Sequence, residues 1–351
     1  MARVFFLNDY SEGAHESILA ALTRTNREQT VGYAEDAYAE EARDRIRAHL
    51  HMDAPVHFMT GGTQANLTLI AAALRPHQGV IAAATGHVSL HESGAIEATG
   101  HKVLNVASHA GRIAAADAER LVRQHYDDPT HDHMVQPGMI YLSQPTELGT
   151  VYSLRELEQL RQVCDKYGML LYVDGARLGT ALVADGADVT LYDLARLTDA
   201  FYIGGTKMGA LFGEALVISN EAVARDFRYI QKQRGGMFAK GRLLGLQFIE
   251  LFSNDLYFAL ARHANGQAKR IAEAFADIGC AFLAPPQTNQ VFPIVDKRLV
   301  KALEEEFALC WWEGVDEEHD AVRACTSWAT DPADVTRFIA RLKEAAKGIL
   351  A

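Results

Sequence analysis

A single lysine, Lys207, stands in the stretch FYIGGTKMGALFG (201–213), between two apolar runs and among glycines. It is the only charged residue of that stretch. Lysine side chains usually lie on the surface, because their ammonium group is strongly hydrated. A lysine that a glycine turn holds inside a cleft can instead act as a covalent catalyst. The stretch therefore allows two interpretations: Lys207 is a nucleophile in a cleft, or it is an ordinary surface lysine.

A second group of polar residues follows a predicted strand in LLYVDGARLG (170–179). Asp174 ends the apolar run, and Arg177 comes three residues later. In open α/β sheets, ligands bind beyond the carboxyl ends of the strands. Because Lys207 also follows a predicted strand, we expect Asp174, Arg177 and Lys207 to converge at one edge of the sheet. The alternative is that Asp174 only caps a helix.

A glycine turn opens a predicted helix in MTGGTQANLTLI (59–70), where Gly62 precedes Thr63 and Gln64. Free N–H groups and the helix dipole bind phosphate at such a turn. The spacing fits neither GxxxxGK[ST] nor GxGxxG, and a plain strand-to-helix turn is the alternative. A phosphate site, a carboxylate and a lysine together are what pyridoxal 5′-phosphate (PLP) requires.

Two histidines, His87 and His91, stand early in a predicted helix within TGHVSLHESGAIEATGHKV (85–103). An aromatic residue at this place could stack on the ring of a cofactor. The alternative is a histidine that faces solvent or caps the helix.

Composition excludes several classes of function. The chain has 351 residues and a net charge of −11, which argues against nucleic-acid or anionic-membrane partners. None of the four cysteines forms a CxxC pair, and we predict no metal site. The chain begins without a signal-peptide pattern and has no apolar run of membrane-spanning length. We therefore expect a cytoplasmic enzyme with reduced thiols.

The middle of the chain alternates short apolar runs with amphipathic helices, which predicts an α/β fold with a mostly parallel sheet. Ser153, Glu156 and Gly168 predict the start and end of a helix over 153–168. The predicted strands are 79–84, 101–106, 138–143, 169–174, 200–205 and 214–219.

The pattern changes after about residue 240 to a long helical region, short strands and a final helix from about 332. This predicts a small α+β domain at 246–351 after a large domain at 1–245. Paired prolines make 283–289 a loop. The strand candidates here are 280–284, 289–295, 307–312 and 321–328.

The order of the motifs resembles that of the PLP-dependent threonine aldolases, which belong to the beta-eliminating lyases. The motifs are GGTQANL, GHVSLHESGA, VDGARLG, GGTKMGALFG and RGGMFAKGRL. The resemblance runs from about residue 7 to residue 345. It implies PLP fold type I, as in aspartate aminotransferase, and retro-aldol cleavage of β-hydroxy-α-amino acids to glycine and an aldehyde.

The resemblance also implies roles for single residues. Lys207 would form the Schiff base with PLP, and Asp174 would pair with the pyridinium nitrogen. His87 would stack on the ring. The remaining implied contacts are Gly62, Thr63 and neighbouring Gln64 with the phosphate, and Arg177, Arg323 and Asn8 with the substrate carboxylate.

This chain departs from the family pattern at two places. LSQPTELG (142–149) stands where the family commonly has a histidine, with Thr146 or Glu147 in that neighbourhood. Phe238 stands where a basic residue commonly reaches the phosphate of a neighbouring subunit. Both departures suit a branch that acts on another β-hydroxy amino acid, phenylserine being one candidate.

Several alternatives stay open from the sequence. The catalytic base could be His87, His91, Glu147 or water, and the basic residue at the neighbouring phosphate could be Arg234, Lys240 or Arg242. The resemblance implies a homodimer or homotetramer with active sites at the subunit interface. The rival functions are an aminotransferase, a β-eliminating lyase and a non-catalytic PLP-binding protein.

Overall fold

The computed structural model describes residues 3–349. No helix in that range is long and apolar enough to cross a membrane. The strands of this range are β1 (Val4–Phe6), β2 (Val56–Met59), β3 (Gln78–Ala83), β4 (Val103–Val106), β5 (Gln136–Ser143), β6 (Leu170–Asp174), β7 (Ala200–Gly204), β8 (Glu214–Ile218), β9 (Gln290–Val291), β10 (Ile294–Asp296), β11 (Phe307–Gly314) and β12 (His319–Cys325).

The helices of the same range surround two sheets. They are α1 (Glu16–Arg24), α2 (Ala37–Leu50), α3 (Gly62–Ala73), α4 (His87–Leu90), α5 (Ala115–Asp127), α6 (Leu154–Tyr167), α7 (Leu178–Leu182), α8 (Leu191–Leu197), α9 (Glu221–Ala224), α10 (Phe227–Gln233), α11 (Arg242–Leu251), α12 (Leu256–Asp277), α13 (Lys297–Leu303) and α14 (Pro332–Ile349).

The larger sheet has the order β2-β8-β7-β6-β5-β3-β4. Only β8 runs antiparallel to its neighbours, so the other six strands end at the same edge. Apolar residues of the sheet pack on both faces, as strands buried between two layers require. The predicted mostly parallel sheet is confirmed, and each of the six strands predicted in this region forms.

A hairpin between β7 and β8 carries the stretch around Lys207. Gly204 at the end of β7 pairs with Glu214 at the start of β8. Gly213 has a φ of +111°, a backbone conformation that suits glycine and closes the turn. Because β8 runs backwards, its first residue lies at the edge where the parallel strands end.

Helix α6 begins and ends as the sequence predicts. The hydroxyl of Ser153 accepts a hydrogen bond from the Glu156 N–H, and the Glu156 carboxylate accepts one from the Ser153 N–H. Gly168 ends the helix in the left-handed conformation. Here local sequence is sufficient to place both ends of the helix.

The smaller sheet contains β1, β11, β12 and β10 in that order, and β9 also pairs with β12. β1 joins it by pairing Val4 with Phe307 in parallel. The N-terminal strand therefore belongs to the sheet of the C-terminal region, while α11 packs on α2 of the larger unit. The domain boundary at residue 245 stays a prediction.

The long helical region predicted after about residue 240 forms as two helices, α11 and α12, with positive φ angles at Asn254 and Asp255 between them. The strand predicted at 289–295 forms as two short strands, β9 and β10. The strand predicted at 280–284 was wrong, because this segment makes only one bridge, between Phe282 and Pro293. Prolines at 285–286 lack the N–H groups that would continue its pairing.

The loop after β6 lies against the end of β7 at van der Waals distance. A Cβ added to Gly175 would come within 1.9 Å of the Tyr202 carbonyl oxygen. The Gly204 N–H donates to the Gly175 carbonyl at 3.0 Å, which fixes this approach. The absence of a side chain at Gly175 thus sets where Asp174 lies relative to β7.

We predict that Gly175→Ala lowers the free energy of unfolding by about 1–3 kcal/mol, because the added methyl group collides with backbone that cannot move away. Urea unfolding followed by circular dichroism measures the change. Gly266→Ala is the control, since an added Cβ meets nothing within 4 Å in the exposed face of α12. That variant should gain stability, and equal effects of the two substitutions would contradict the prediction.

Candidate active site

A cavity of about 240 Å³ opens at the carboxyl edge of the larger sheet. Six of the residues expected at the site line this cavity: Gly62, Thr63, His87, Asp174, Arg177 and Lys207. They come from segments that follow four different strands. Gln64, Asn8 and Arg323 lie outside its lining.

Asp174 is a buried carboxylate that receives several hydrogen bonds. Its Oδ2 accepts from Tyr141 Oη at 2.7 Å and from Asn66 Nδ2 at 2.9 Å, and its Oδ1 accepts from Tyr202 Oη and the Ala176 N–H. Burial raises the pKa of Asp174, but the charge of His87 and these hydrogen bonds bring the pKa below its ordinary value. The group is therefore a stable negative charge.

Three tyrosines of adjacent strands, Tyr141, Tyr172 and Tyr202, surround this carboxylate, and the sequence analysis missed their role. All three are buried on the same face of the sheet. Tyr172 acts through Asn66, because its hydroxyl donates to Asn66 Oδ1 at 2.8 Å. A tyrosine two residues before Asp174, on the same strand face, was the available signal in the sequence.

A polar chain runs from Asp174 to His87. Asn66 Nδ2 donates to Asp174 and also to Glu92 Oε1 at 2.7 Å, and Glu92 Oε1 lies 2.8 Å from His87 Nδ1. Burial lowers the pKa of His87, but the bond to Glu92 and the charge of Asp174 raise the pKa above its ordinary value. Glu92 thus orients the His87 ring at the cavity, a role that the sequence analysis did not assign.

The ammonium group of Lys207 makes no hydrogen bond or ion pair within residues 3–349. Its Nζ lies 5.9 Å from the ring centroid of Tyr10. Burial and the charge of Arg177 lower the pKa of Lys207, against the opposing charges of Asp9 and Asp174. An amine with a lowered pKa carries a larger neutral, nucleophilic fraction.

Glu214 is a second buried carboxyl group beside the lysine turn. It accepts hydrogen bonds of 2.8 Å from the Gly205 N–H and from Thr206 Oγ1. Burial raises the pKa of Glu214, and the charge of Lys207 opposes this shift without cancelling it. The sequence analysis took this residue only as the start of a strand.

Helix α3 begins at the cavity with Gly62, and the first N–H bonded within the helix is that of Ala65, to the Gly61 carbonyl. The N–H groups before it point out of the helix start, as an anion site requires. A Cβ on Gly62 would lie 2.7 Å from Tyr202 Oη and would press on the hydroxyl that Tyr202 donates to Asp174. Gln64 Oε1 instead accepts from the Thr60 N–H at 3.1 Å and holds the preceding loop.

The segment that departs from the family pattern also reaches the cavity. Glu147 Oε1 accepts from the His87 N–H at 2.8 Å and from Ser143 Oγ at 2.5 Å. Burial raises the pKa of Glu147. Glu147 lies in the turn after β5, within hydrogen-bond distance of Ser143 at the end of that strand.

Arg177 is held by a carboxylate from the N-terminal segment. Its Nε and Nη2 donate to Asp9, which also accepts from Asn289 Nδ2 at 2.9 Å. Within the described residues, Arg177 Nη1 has no such bond. The neighbouring Asn8 uses its side-chain oxygen to cap a turn, accepting from the Tyr10 N–H and Ser11 Oγ at 3.0 Å.

Arg323 lies on β12 of the smaller sheet. Its Nη2 donates to the Leu7 carbonyl at 2.6 Å, and its Nη1 lies 3.4 Å from Gln290 Oε1. Its Nε is buried without a partner among the described residues. Its guanidinium carbon lies 5.8 Å from the ring centroid of Trp312.

Comparisons with known proteins agree with this arrangement. Residues 6–298 match the family model described as beta-eliminating lyase. The low specificity L-threonine aldolase of Pseudomonas aeruginosa is 30% identical over 347 residues, covering 98% of this chain and 96% of that protein. The protein of the same name from Pseudomonas sp. is 28% identical, covering 96% of each chain.

Solved structures give the same picture. A threonine aldolase of Leishmania major superposes with a TM-score of 0.95 at 42% identity, covering 98% of this chain and 99% of that chain. An aspartate aminotransferase of Thermus thermophilus superposes with a TM-score of 0.72 at 16% identity, covering 98% and 91%. The second likeness shows the fold alone, and together they confirm the fold type that the sequence predicted.

We predict that Tyr202→Phe lowers the free energy of unfolding at pH 7 by about 1.5–3 kcal/mol, because a hydrogen bond to a buried carboxylate is lost. Tyr152→Phe is the matched control, since that buried hydroxyl accepts a single hydrogen bond, from the neutral Ile113 N–H at 2.7 Å. Its loss should be nearer 1 kcal/mol. Urea unfolding measures the loss of unfolding free energy in both variants. A loss in Tyr202→Phe that does not exceed the loss in the control would contradict the charged state of Asp174.

Proposed function

This chain belongs to the beta-eliminating lyase family, and on that premise we propose that it cleaves L-β-hydroxy-α-amino acids to glycine and an aldehyde. It is a carbon–carbon lyase that depends on pyridoxal 5′-phosphate. The name L-threonine aldolase on its relatives supports threonine-type substrates. Threonine, allo-threonine and phenylserine are the compounds to compare.

The residues of the cavity fit this cofactor. The N–H groups at the start of α3, from Gly62 onward, are available to a phosphate, and Thr63 lies in the same turn. Asp174 offers a buried negative charge to the pyridinium nitrogen, and Lys207 offers an amine without a partner for a covalent bond. His87 would cover the ring. Gln64 would act only through the loop that it holds.

When bound, PLP supplies an electron-withdrawing ring that accepts the electron pair of the broken bond. Asp174 would keep the ring nitrogen protonated, because its tyrosine and asparagine donors hold the carboxylate in its charged form. Lys207, with its lowered pKa, would take up and return a proton at Nζ once the substrate has displaced it.

The substrate carboxylate would be held by two arginines. Arg177 lines the cavity and keeps Nη1 free, because Asp9 occupies its Nε and Nη2. Arg323 would approach from the smaller sheet, where Leu7 and Gln290 fix its guanidinium group. A planar guanidinium group suits a carboxylate with two oxygens.

The base for the β-hydroxyl proton must lie within hydrogen-bond reach of that group. His87, His91, Glu147 and water remain the candidates. Glu147 lines the cavity, and its raised pKa brings its proton affinity closer to that of a base that works near neutral pH. His91 has a pKa lowered by burial and by the charge of His87.

One observation carries the proposal: an unpartnered lysine and a buried, fully hydrogen-bonded carboxylate face one cavity. A product assay tests it by measuring glycine and aldehyde from threonine, allo-threonine, serine and phenylserine. Pyruvate with ammonia would indicate β-elimination instead. Transfer of the amino group to pyruvate or 2-oxoglutarate would indicate an aminotransferase.

We also propose that the enzyme is cytoplasmic and works as a dimer or tetramer. All four cysteines are free thiols, which suits a reducing compartment. A groove of about 880 Å³ exposes Tyr33 and Tyr229, which suits a subunit contact. Of the candidates for the neighbouring phosphate, Arg242 already donates to the Thr25 carbonyl, which favours Arg234 or Lys240.

We predict that Lys207→Ala abolishes turnover and the visible absorbance of protein-bound PLP, because no other amine in the described cavity lining can form the covalent bond. Absorbance of the purified protein and glycine release measure the two effects. Lys301→Ala, on the exposed face of α13, is the control and should keep both. Retention of both by Lys207→Ala would remove Lys207 from the mechanism.

We predict that Arg323→Ala raises the KM for threonine about tenfold to hundredfold, with a smaller change in kcat, because a charged hydrogen bond to the substrate is lost. Initial rates over a range of threonine concentrations give both constants. Arg298→Ala is the control, since that arginine is exposed and pairs with Asp296 in the same region. An unchanged KM would exclude Arg323 from the carboxylate site.

A further inference from the structure

A row of aromatic rings leads from the cavity to the smaller sheet. The rings of His87 and His91 lie 5.7 Å apart, and those of His91 and Trp312 lie 6.3 Å apart. Phe292, which is buried, supports Trp312 from behind with a ring distance of 4.8 Å. We name His91 and Trp312 the aromatic wall.

The backbone places Trp312 in this position. In the pairing of β11 with β12, Trp311 pairs with Val322 and Glu313 pairs with Ala321, so Trp312 is the extra residue of a bulge. Bulges redirect a side chain and occur often beside active sites. Trp311, the preceding residue, is 64% exposed.

We infer that the aromatic wall binds the group on Cβ of the substrate and favours an aryl group over the methyl group of threonine. The inference rests on the proposed function, and it deepens it by naming a substrate class. Trp312 and His91 would pack against the aryl ring, as aromatic pairs do at centroid distances of about 4.5–7 Å.

The short distance between the carboxylate and the aryl ring of such a substrate supports this assignment. In an aryl β-hydroxy amino acid, three carbon–carbon bonds of about 1.5 Å each link the carboxyl carbon to the aryl ring. A carboxylate bound at Arg323 therefore holds that ring close to the guanidinium group. The Trp312 ring centroid lies 5.8 Å from the Arg323 guanidinium carbon, so an aryl ring held beside that guanidinium group can also contact Trp312.

Tyr10, near Lys207, is a second aromatic side chain that could contact the group on Cβ. Tyr10 is 55% exposed, and its ring lies 5.9 Å from Lys207 Nζ. It has no aromatic neighbour within the described residues that would fix its ring, whereas Phe292 fixes Trp312. The aromatic wall is therefore the better prepared of the two surfaces.

The test is the ratio of kcat/KM for phenylserine to kcat/KM for threonine, measured with the PLP-loaded enzyme. Trp312→Leu should lower this ratio about threefold to tenfold, the loss expected for an aromatic contact. Trp312→Phe should retain most of it. His91→Leu, at an exposed position that folding tolerates, should lower the ratio in the same direction and gives a readout if Trp312→Leu does not fold.

Trp311→Leu is the matched control and should leave the ratio unchanged, since that ring is exposed outside the wall. An unchanged ratio in the Trp312 and His91 variants would overturn the inference. So would a fall of the ratio in Tyr10→Leu alone. If the parent enzyme releases glycine from neither substrate, the proposed function itself fails, which is a distinct result.

Discussion

The buried carboxylate of Asp174 determines how the residues at the carboxyl edge of the larger sheet are arranged. Asp174 stays charged because the charge of His87 and donors from β5, β7 and α3 offset the effect of its burial. Each donor in turn needs its own strand or helix in register, since a buried charge without partners is strongly destabilising. The order of the strands, the tyrosines on one face and the close approach at Gly175 all serve this single requirement.

The sequence was sufficient where the signal is local. Ser153 and Glu156 define the start of α6 by their hydrogen bonds, and Gly168 defines its end by its left-handed conformation. Asp174 ends one strand and Lys207 follows another, and the apolar neighbours of both residues predict those strands. It was not sufficient where partners are distant along the chain. The contact of Asp9 with Arg177 depends on the way the N-terminal segment crosses the site, and no periodicity encodes that contact.

The tyrosines illustrate a second limit. Tyr141 and Tyr202 look like ordinary residues of buried strands, because their rings do pack in the core. Only the position of the hydroxyl, one ring length from the backbone, makes them part of the site. Glu214 shows the reverse case. A charged residue at the start of a strand is expected to be exposed, but Glu214 is buried.

The parallel pairing of β1 with β11 has a consequence for biosynthesis. Val4 is synthesised about three hundred residues before its partner Phe307. Until then, β1 has no strand to pair with, because β11 is its principal partner in the smaller sheet. Contacts of such sequence separation form slowly, so the edge of β1 stays open to other chains until β11 is made.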